Sequence, residues 1–281
     1  MAQSTPFKSN CADGIGIAGA SANCASSGGV LAKIYTSFDI MATIMQRLSF
    51  YYCKAKSFVY DAMILSMTEK WYRAVLERLD DGSVLLDVGI GTGGALLRCI
   101  DLIESKDLKI VGIDIDAAYV EAGKVRVQQA GLSDRISIDK VNVYEGNERI
   151  MELSKKLGGA TNSDGEFVDA VYFSGSFSLL PDPTKALQLV STFIKRNDGK
   201  DTPAEKGKIY ITQTYQRKTP FFLPYVKPLV KYATTIDFGQ VVREEEVLQI
   251  FRDSNLEVVK HEVIPGSVDN TFQAAYLSVL R

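Results

Sequence analysis

The chain has 281 residues, of which 46% are hydrophobic, so it can bury one large α/β core or at most two small ones. A formal net charge of −2 at pH 7 excludes the global basic field that would attract nucleic acid or an anionic membrane. No apolar run reaches the length of a membrane span, and the four cysteines have neither paired nor metal-ligand spacing, which predicts a cytoplasmic protein with no metal site.

The N-terminal region is predicted to consist of a tail and a helical cap. Residues 1–29 are rich in Ser, Ala, Gly and Asn without hydrophobic periodicity, which predicts a disordered tail. They lack the long apolar core of a secretory signal and the arginines of a transit peptide. From residue 30 the pattern becomes helical, and aromatic residues recur along 50–79 at a spacing that is more often core than ligand contact. We predict a helical cap over 30–82 and a core over 83–281, which together form one domain.

The most informative stretch is 84–97. It begins as a short apolar run, continues through glycines, and ends in residues that are apolar at helical spacing. This order predicts a strand, a turn and a helix, the opening of a βαβ unit whose helix-terminal N–H groups face a ligand. Gly89 and Gly91 let the backbone turn tightly near a ligand, and Gly93 and Gly94 leave no Cβ in the way.

Two classes of cofactor compete for this turn. The spacing of Gly89, Gly91 and Gly94 satisfies the dinucleotide fingerprint, which is a weak signal when it stands alone. Asp87 favours a different ligand, because a carboxylate beneath a pyrophosphate is unfavourable whereas it suits a cation such as an amino group. Asp87, Gly89, Gly91 and Gly93 form Asp-x-Gly-x-Gly-x-Gly, which resembles the first motif of the class I S-adenosylmethionine-dependent methyltransferases. The resemblance implies that Asp87 positions the methionine moiety and that the three glycines admit it.

A second predicted strand, 108–116, ends in two acidic residues. Asp114 lies twenty residues beyond Gly94, where both Rossmann-like cofactor classes place an acid on the ribose hydroxyls. Asp116 is the alternative, but it better suits the N-cap of a helix over 117–130. Ile115 would offer an apolar face to the adenine.

The third and fourth strands are predicted at 135–141 and 167–173. The third is followed by Asn142 and Val143, where the resembling family usually carries an Asp and a small residue. Asn142 can accept a hydrogen bond from the adenine amino group, although without charge assistance. The resemblance also places Val143, and Ser174 after the fourth strand, beside the cofactor.

The loop after the fourth strand runs to Leu180-Pro181-Asp182-Pro183, which resembles small-molecule methyltransferases of this class. Ser178 stands where many relatives carry a His or another polar residue, which argues against proton removal by an imidazole. The Asn/Asp-Pro-Pro-Tyr motif of the amino-methylating DNA enzymes is absent, which argues against a nucleobase acceptor. Residues 144–166, which precede the fourth strand, are predicted to form an insertion with a short polar helix.

The last third of the chain is predicted to complete the sheet. A helix over 184–194 precedes a fifth strand over 208–213, and a helix over 243–251 precedes strands over 256–264 and 271–280. A terminal antiparallel pair is what the resembling family adds to a doubly wound sheet. We therefore predict an α/β fold: a doubly wound seven-stranded sheet with an antiparallel C-terminal strand and an N-terminal helical cap.

The predicted function is transfer of a methyl group from S-adenosylmethionine to a small-molecule acceptor by in-line displacement. Aromatic residues and prolines over 215–238 suggest either a wall over the acceptor pocket or a packed connector. Candidate residues for orienting or deprotonating the acceptor are Ser176, Asp182, Tyr215 and Tyr225, whereas the single histidine, His261, suits a structural role. The acceptor atom, O, N, S or C, and the oligomeric state are left open. The alternatives are a non-catalytic S-adenosylmethionine-binding protein and an NAD-dependent oxidoreductase, which requires a parallel sixth strand.

Overall fold

A computed structural model describes residues 64–162, 165–195, 207–217 and 243–281. The chain divides after Ile64 into two units, and apart from Ile64 itself the residues described below belong to the second, 65–281. The predicted tail, the predicted cap up to residue 63, and most of the predicted connector, including Tyr225, lie outside the described residues.

Seven strands in the described part of the chain form one mixed sheet in the order β3-β2-β1-β4-β5-β7-β6. The first five strands pair in parallel, and β7 pairs antiparallel with both β5 and β6. This confirms the predicted seven-stranded sheet with its antiparallel final strand. The strands are β1 (Val84–Val88), β2 (Lys109–Asp114), β3 (Ile136–Lys140), β4 (Ala170–Ser174), β5 (Lys208–Gln216), β6 (Val258–Val263) and β7 (Gln273–Leu280).

Helices cover both faces of the sheet, as a doubly wound fold requires. Side chains of α1, α2 and α3 share one buried apolar cluster with the sheet, and those of α4, α5 and α6 share the other. The helices are α1 (described over 64–76), α2 (Ile100–Ser105), α3 (Ala117–Gln129), α4 (Asn147–Lys156), α5 (Pro183–Ser191) and α6 (Glu244–Asp253). Short 3-10 turns precede α2 (Leu96–Cys99) and α5 (Phe177–Leu179).

The structure differs from the predicted boundaries where long-range pairing decides them. The fifth strand extends to Gln216 because β7 pairs with it along its whole length. The helix after β4 ends at Ser191, since Ile194 forms a bridge with Val168 instead of another helical turn. The helix predicted from Gly94 is divided, because Cys99 leaves helical backbone angles at φ −108° and ψ 29°.

The aromatic stripe of α1 contributes to the core, as predicted. Trp71, Tyr72 and Leu76 are all buried and pack in the cluster on one face of the sheet. None of the helices within the described residues is both long and apolar enough to cross a membrane.

Candidate functional site

The turn after β1 uses glycine at three positions because of its backbone angles. Gly89, Gly91 and Gly93 have φ values of +80°, +59° and +65°, in the left-handed region that side chains disfavour. Gly94 does not have a positive φ. The residues that need to be glycine are therefore those of Asp-x-Gly-x-Gly-x-Gly, and the third position of the dinucleotide spacing is not among them.

Asp87 lies in β1 beneath this turn and is fully buried. Its Oδ2 accepts a hydrogen bond of 2.7 Å from the Tyr72 hydroxyl, while its Oδ1 is buried without a hydrogen-bond partner among the described residues. Burial raises the pKa of the Asp87 carboxyl to about 7, the Tyr72 hydrogen bond opposes this, and the nearby charge of Asp114 adds to it. The site therefore holds a carboxyl group with one unused oxygen, which suits a cationic ligand.

Tyr72 also belongs to a group of buried hydroxyls, of which those of Tyr72 and Ser174 belong to residues that line a cavity. Its ring meets the ring of Tyr172 edge to face, with centroids 5.1 Å apart, and the Tyr172 hydroxyl shares a hydrogen bond of 2.7 Å with Thr212 Oγ1. The Ser174 hydroxyl makes no hydrogen bond of normal geometry within the described residues, although its proximity lowers the pKa of both tyrosines against the larger effect of burial. The cavity is lined by α1, by the glycine turn and by Ser174.

Asp114, at the end of β2, is bound directly to the glycine turn. Its Oδ2 accepts from the Gly91 N–H at 2.9 Å and its Oδ1 accepts from the Asp116 N–H at 2.9 Å. Each carboxylate oxygen has further acceptor capacity, so two hydroxyl groups of a ligand can still bind there. Asp116 has the N-cap role predicted for it, since its side chain accepts from the N–H groups of Ala118 and Tyr119 at the start of α3.

Of the three predicted adenine contacts, Ile115 follows β2 and the other two follow the neighbouring strand β3, and they differ in exposure. Ile115 is 70% exposed, an unusual degree for an isoleucine, and it directly follows Asp114. Asn142 is exposed, and its Oδ1 already accepts a hydrogen bond of 3.2 Å from the Tyr144 N–H. Asn142 therefore keeps one acceptor position on its side-chain oxygen. Val143, in contrast, is buried.

Of the three described candidates for acting on the acceptor, two make structural hydrogen bonds and the third is buried. The Ser176 hydroxyl donates to the Val88 carbonyl, which holds the loop after β4 against the glycine turn. Asp182 caps α5, because its Oδ1 accepts from the Lys185 N–H at 2.9 Å. Tyr215 is fully buried, and burial raises the pKa of its hydroxyl well above the usual range. None of the three is among the residues that line the cavity.

His261 has the contacts of a structural residue. Its Nδ1 lies 2.8 Å from Ser278 Oγ, its Nε2 lies 3.1 Å from Glu244 Oε1, and its ring stacks on Tyr276 with centroids 4.6 Å apart. These contacts join β6, β7 and the start of α6. No group of three or more metal-binding side chains occurs within the described ranges.

Tyr72 is the site residue that sequence reasoning missed. The helical spacing of α1 correctly predicts that its side chain is buried, but it contains no indication that the hydroxyl reaches Asp87 fifteen residues later. The only available signal was chemical: a buried tyrosine hydroxyl requires a hydrogen-bond partner.

Comparison with known proteins supports the fold and gives no match by sequence. No model of a known protein family matches the chain, and no curated protein matches it. Among solved structures, the [4+2]-cyclase SpnF matches with a TM-score of 0.53 and 18% identity, over 76% of this chain and 80% of that one.

Two methyltransferases match at a similar level. An S-adenosylmethionine-dependent methyltransferase from Aquifex aeolicus gives a TM-score of 0.51 and 18% identity, over 80% of this chain and 98% of that one. A geranyl diphosphate C-methyltransferase from Streptomyces coelicolor A3(2), in complex with Mg²⁺, geranyl diphosphate and S-adenosylhomocysteine, gives 0.50 and 12%, over 76% of both chains. The chain therefore has the Rossmann-like fold of the class I S-adenosylmethionine-dependent methyltransferases, as its sequence predicts.

Proposed function

We propose that this protein binds S-adenosylmethionine and transfers its methyl group to a small-molecule acceptor. The observation that carries the proposal is the linkage of two acids through one turn: Asp87 lies beneath the left-handed glycines, and Asp114 accepts from the N–H of Gly91 in the same turn. A cation-binding carboxylate and a hydroxyl-binding carboxylate are thus held in a fixed relation, which matches a ligand with an ammonium group and a ribose.

Each residue then has a definite task. Asp87 Oδ1 pairs with the ammonium group, and Asp114 accepts hydrogen bonds from the two ribose hydroxyls. No side chain obstructs the turn at Gly91, where an added Cβ would meet nothing within 4 Å. Ile115 covers the adenine, with Asn142, Val143 and Ser174 completing the pocket.

The bound cofactor supplies an activated methyl group and its own neutral leaving group. The protein therefore has to orient the acceptor in line with the methyl group and to exclude water. Residues for this task are proposed from sequence: Ser176, Asp182, Tyr215 and Tyr225. Ser176 and Asp182 already make structural hydrogen bonds and Tyr215 is buried outside the cavity, so no one of the four is preferred for orienting the acceptor.

A small acceptor fits better than a nucleic acid. The chain has a formal net charge of −2, so it lacks the excess of Lys and Arg that neutralises phosphates. One of the matching solved structures is that of a geranyl diphosphate C-methyltransferase, whose complex contains geranyl diphosphate, a small molecule. The free thiol of Cys99 agrees with the proposed cytoplasmic location.

The dinucleotide alternative is disfavoured by the sheet. An NAD-binding sheet of the doubly wound type continues in parallel beyond its fifth strand, whereas β5 pairs here with the antiparallel β7. An activity measurement distinguishes methyl transfer from other chemistry on this fold, because one of the matching structures is a cyclase.

We expect the purified protein to be stabilised by S-adenosylmethionine and S-adenosylhomocysteine and not by NAD. A ligand at about one hundred times its Kd adds roughly 2.7 kcal/mol to the free energy of unfolding. Thermal unfolding with each ligand measures this, and formation of S-adenosylhomocysteine in the presence of small acceptors measures methyl transfer. Stabilisation by NAD alone would refute the cofactor assignment, and binding without turnover of any acceptor would favour the non-catalytic alternative.

Replacement of Asp114 by Ala should weaken S-adenosylhomocysteine binding at least about tenfold, because two hydrogen bonds to a charged acceptor are lost. Asp116→Ala is the matched control: it removes a carboxylate two residues away whose contacts are those of an N-cap. That variant should lose about 1 kcal/mol of stability and retain its affinity. Calorimetric titration measures the affinity of both variants. If the two variants bind S-adenosylhomocysteine equally well, Asp114 does not contact the ligand.

A further inference from the structure

The two oxygens of Asp87 have different environments. Oδ2 is held by the Tyr72 hydroxyl at 2.7 Å, and Oδ1 is buried without a partner among the described residues. Tyr72 belongs to α1, outside the glycine motif, and it lines the cavity together with Gly89 and Ser174. One side chain therefore contacts both the acid of the motif and the space in which a ligand would lie.

No described cation compensates the charge of Asp87. The titratable groups around it are Tyr72 from α1, Tyr172, which is its register partner on β4, and Asp114 at the end of β2. The first two are neutral hydroxyl groups and the third is an anion. No Lys or Arg of the described residues forms an ion pair with Asp87, so a positive ligand group would be the charge that balances it.

We propose that Tyr72 is a positioning residue for the ammonium group of the cofactor, and that it acts by holding the Asp87 side chain in one orientation through its hydroxyl. The inference rests on the proposed function, since it takes S-adenosylmethionine or its product as the ligand. It implies that binding of the ligand is coupled to the release of a proton. When the ligand enters, the O–H bond of the protonated Asp87 carboxyl breaks, the proton passes to the buffer, and the carboxylate pairs with the ligand's –NH₃⁺ group.

The direction of the linkage follows from the burial of Asp87. With its pKa raised to about 7, this carboxyl is partly protonated in the unliganded protein at neutral pH. The Tyr72 hydrogen bond lowers that pKa, so its removal leaves more of the carboxyl protonated. Affinity should therefore rise with pH through the pKa of Asp87 and level off above it, and loss of the Tyr72 hydroxyl should move this rise to higher pH.

The test is calorimetric titration of S-adenosylhomocysteine, which carries the ammonium group and is not consumed. Titrations in buffers of different ionisation enthalpy, from about pH 6 to about pH 8.5, give the affinity and the number of protons released. We expect Tyr72→Phe to bind roughly tenfold more weakly near neutral pH, as for loss of a hydrogen bond to a charged group. It should also release a larger fraction of a proton, and its deficit in affinity should shrink as the pH rises.

Tyr172→Phe is the matched control. It removes a hydroxyl from the same buried group, at a ring that touches Tyr72, but this hydroxyl bonds to Thr212 and not to Asp87. It should keep the wild-type affinity, pH profile and proton release. A further variant, Asp87→Asn, should bind weakly and release no proton from this position, which tests the linkage even if Tyr72→Phe does not fold.

The possible results distinguish a failure of this inference from a failure of the proposed function. If wild type binds S-adenosylhomocysteine and Tyr72→Phe has the same pH profile and proton release, the positioning role is refuted while the proposed function stands. Equal changes in both phenylalanine variants would also refute it, because they would indicate a general effect on packing. Failure of the wild-type protein to bind the ligand would overturn the proposed function and this inference together.

Discussion

Asp87→Asn is expected to stabilise the unliganded protein at about pH 8 while it impairs cofactor binding. The pKa of the folded-state carboxyl is about 7, against a reference value of 3.8. Between these values the unfolded chain gives up its proton and the folded chain keeps it, so the free energy of unfolding of the wild type falls as the pH rises through this range. Three pKa units correspond to an upper limit of about 4 kcal/mol, and the neutral amide removes this dependence.

The measurement is denaturant unfolding at about pH 5 and about pH 8 for wild type and variant, without ligand. The stability difference should favour the variant at the higher pH and shrink at the lower. Asp101→Asn is a suitable control: Asp101 is exposed, and its hydrogen bond with Arg73 lowers the pKa of its carboxyl. Its contribution is therefore fully present at both pH values and is lost only at pH values below the reference pKa of 3.8, so the stability difference for this variant should be the same at both. A wild-type stability that does not fall between the two pH values would contradict the assignment.

Gly89→Ala should be the most destabilising substitution in the glycine turn. At φ +80° an alanine is strained, and its Cβ would lie 2.4 Å from the Cβ of Ser176, which the loop after β4 cannot avoid without moving. The strain costs about 1–2 kcal/mol and overpacking of a buried contact about 1–3 kcal/mol more. We expect a total loss of roughly 2–5 kcal/mol in the free energy of unfolding.

Gly82→Ala separates these two contributions. Gly82 has almost the same angle, φ +76°, but an added Cβ there meets nothing within 4 Å. This control should show the loss from backbone strain alone. Combining Gly89→Ala with Ser176→Gly should recover the part due to the clash. If Gly89→Ala and Gly82→Ala are equally destabilised, the close approach of Ser176 contributes nothing to the loss in the free energy of unfolding.

The parts of this fold that could be predicted from sequence are those that depend on residues close together in the chain. The run that becomes β1 is apolar and short, the glycines follow at once, and Asp114 ends the neighbouring parallel strand at the same edge of the sheet. The parts that could not be predicted depend on which elements become neighbours. Ser176 meets Gly89 only because β4 lies beside β1, and Tyr72 meets Asp87 only because α1 packs over that strand. Hydrophobic periodicity predicts which side of a helix is buried, but it does not identify the partner of a buried hydroxyl.

The position of β7 also determines the order in which the sheet can be assembled during synthesis. It is the last strand along the chain, yet it lies between β5 and β6, and in the described sheet β6 pairs with no other strand. A nascent chain that has left the ribosome as far as Val263 therefore carries a β6 segment without a partner and a β5 edge with open hydrogen-bonding groups. Such an edge is a template for pairing with other chains. The parallel half of the sheet can form early, but its exposed edge is closed only when residues 273–280 emerge.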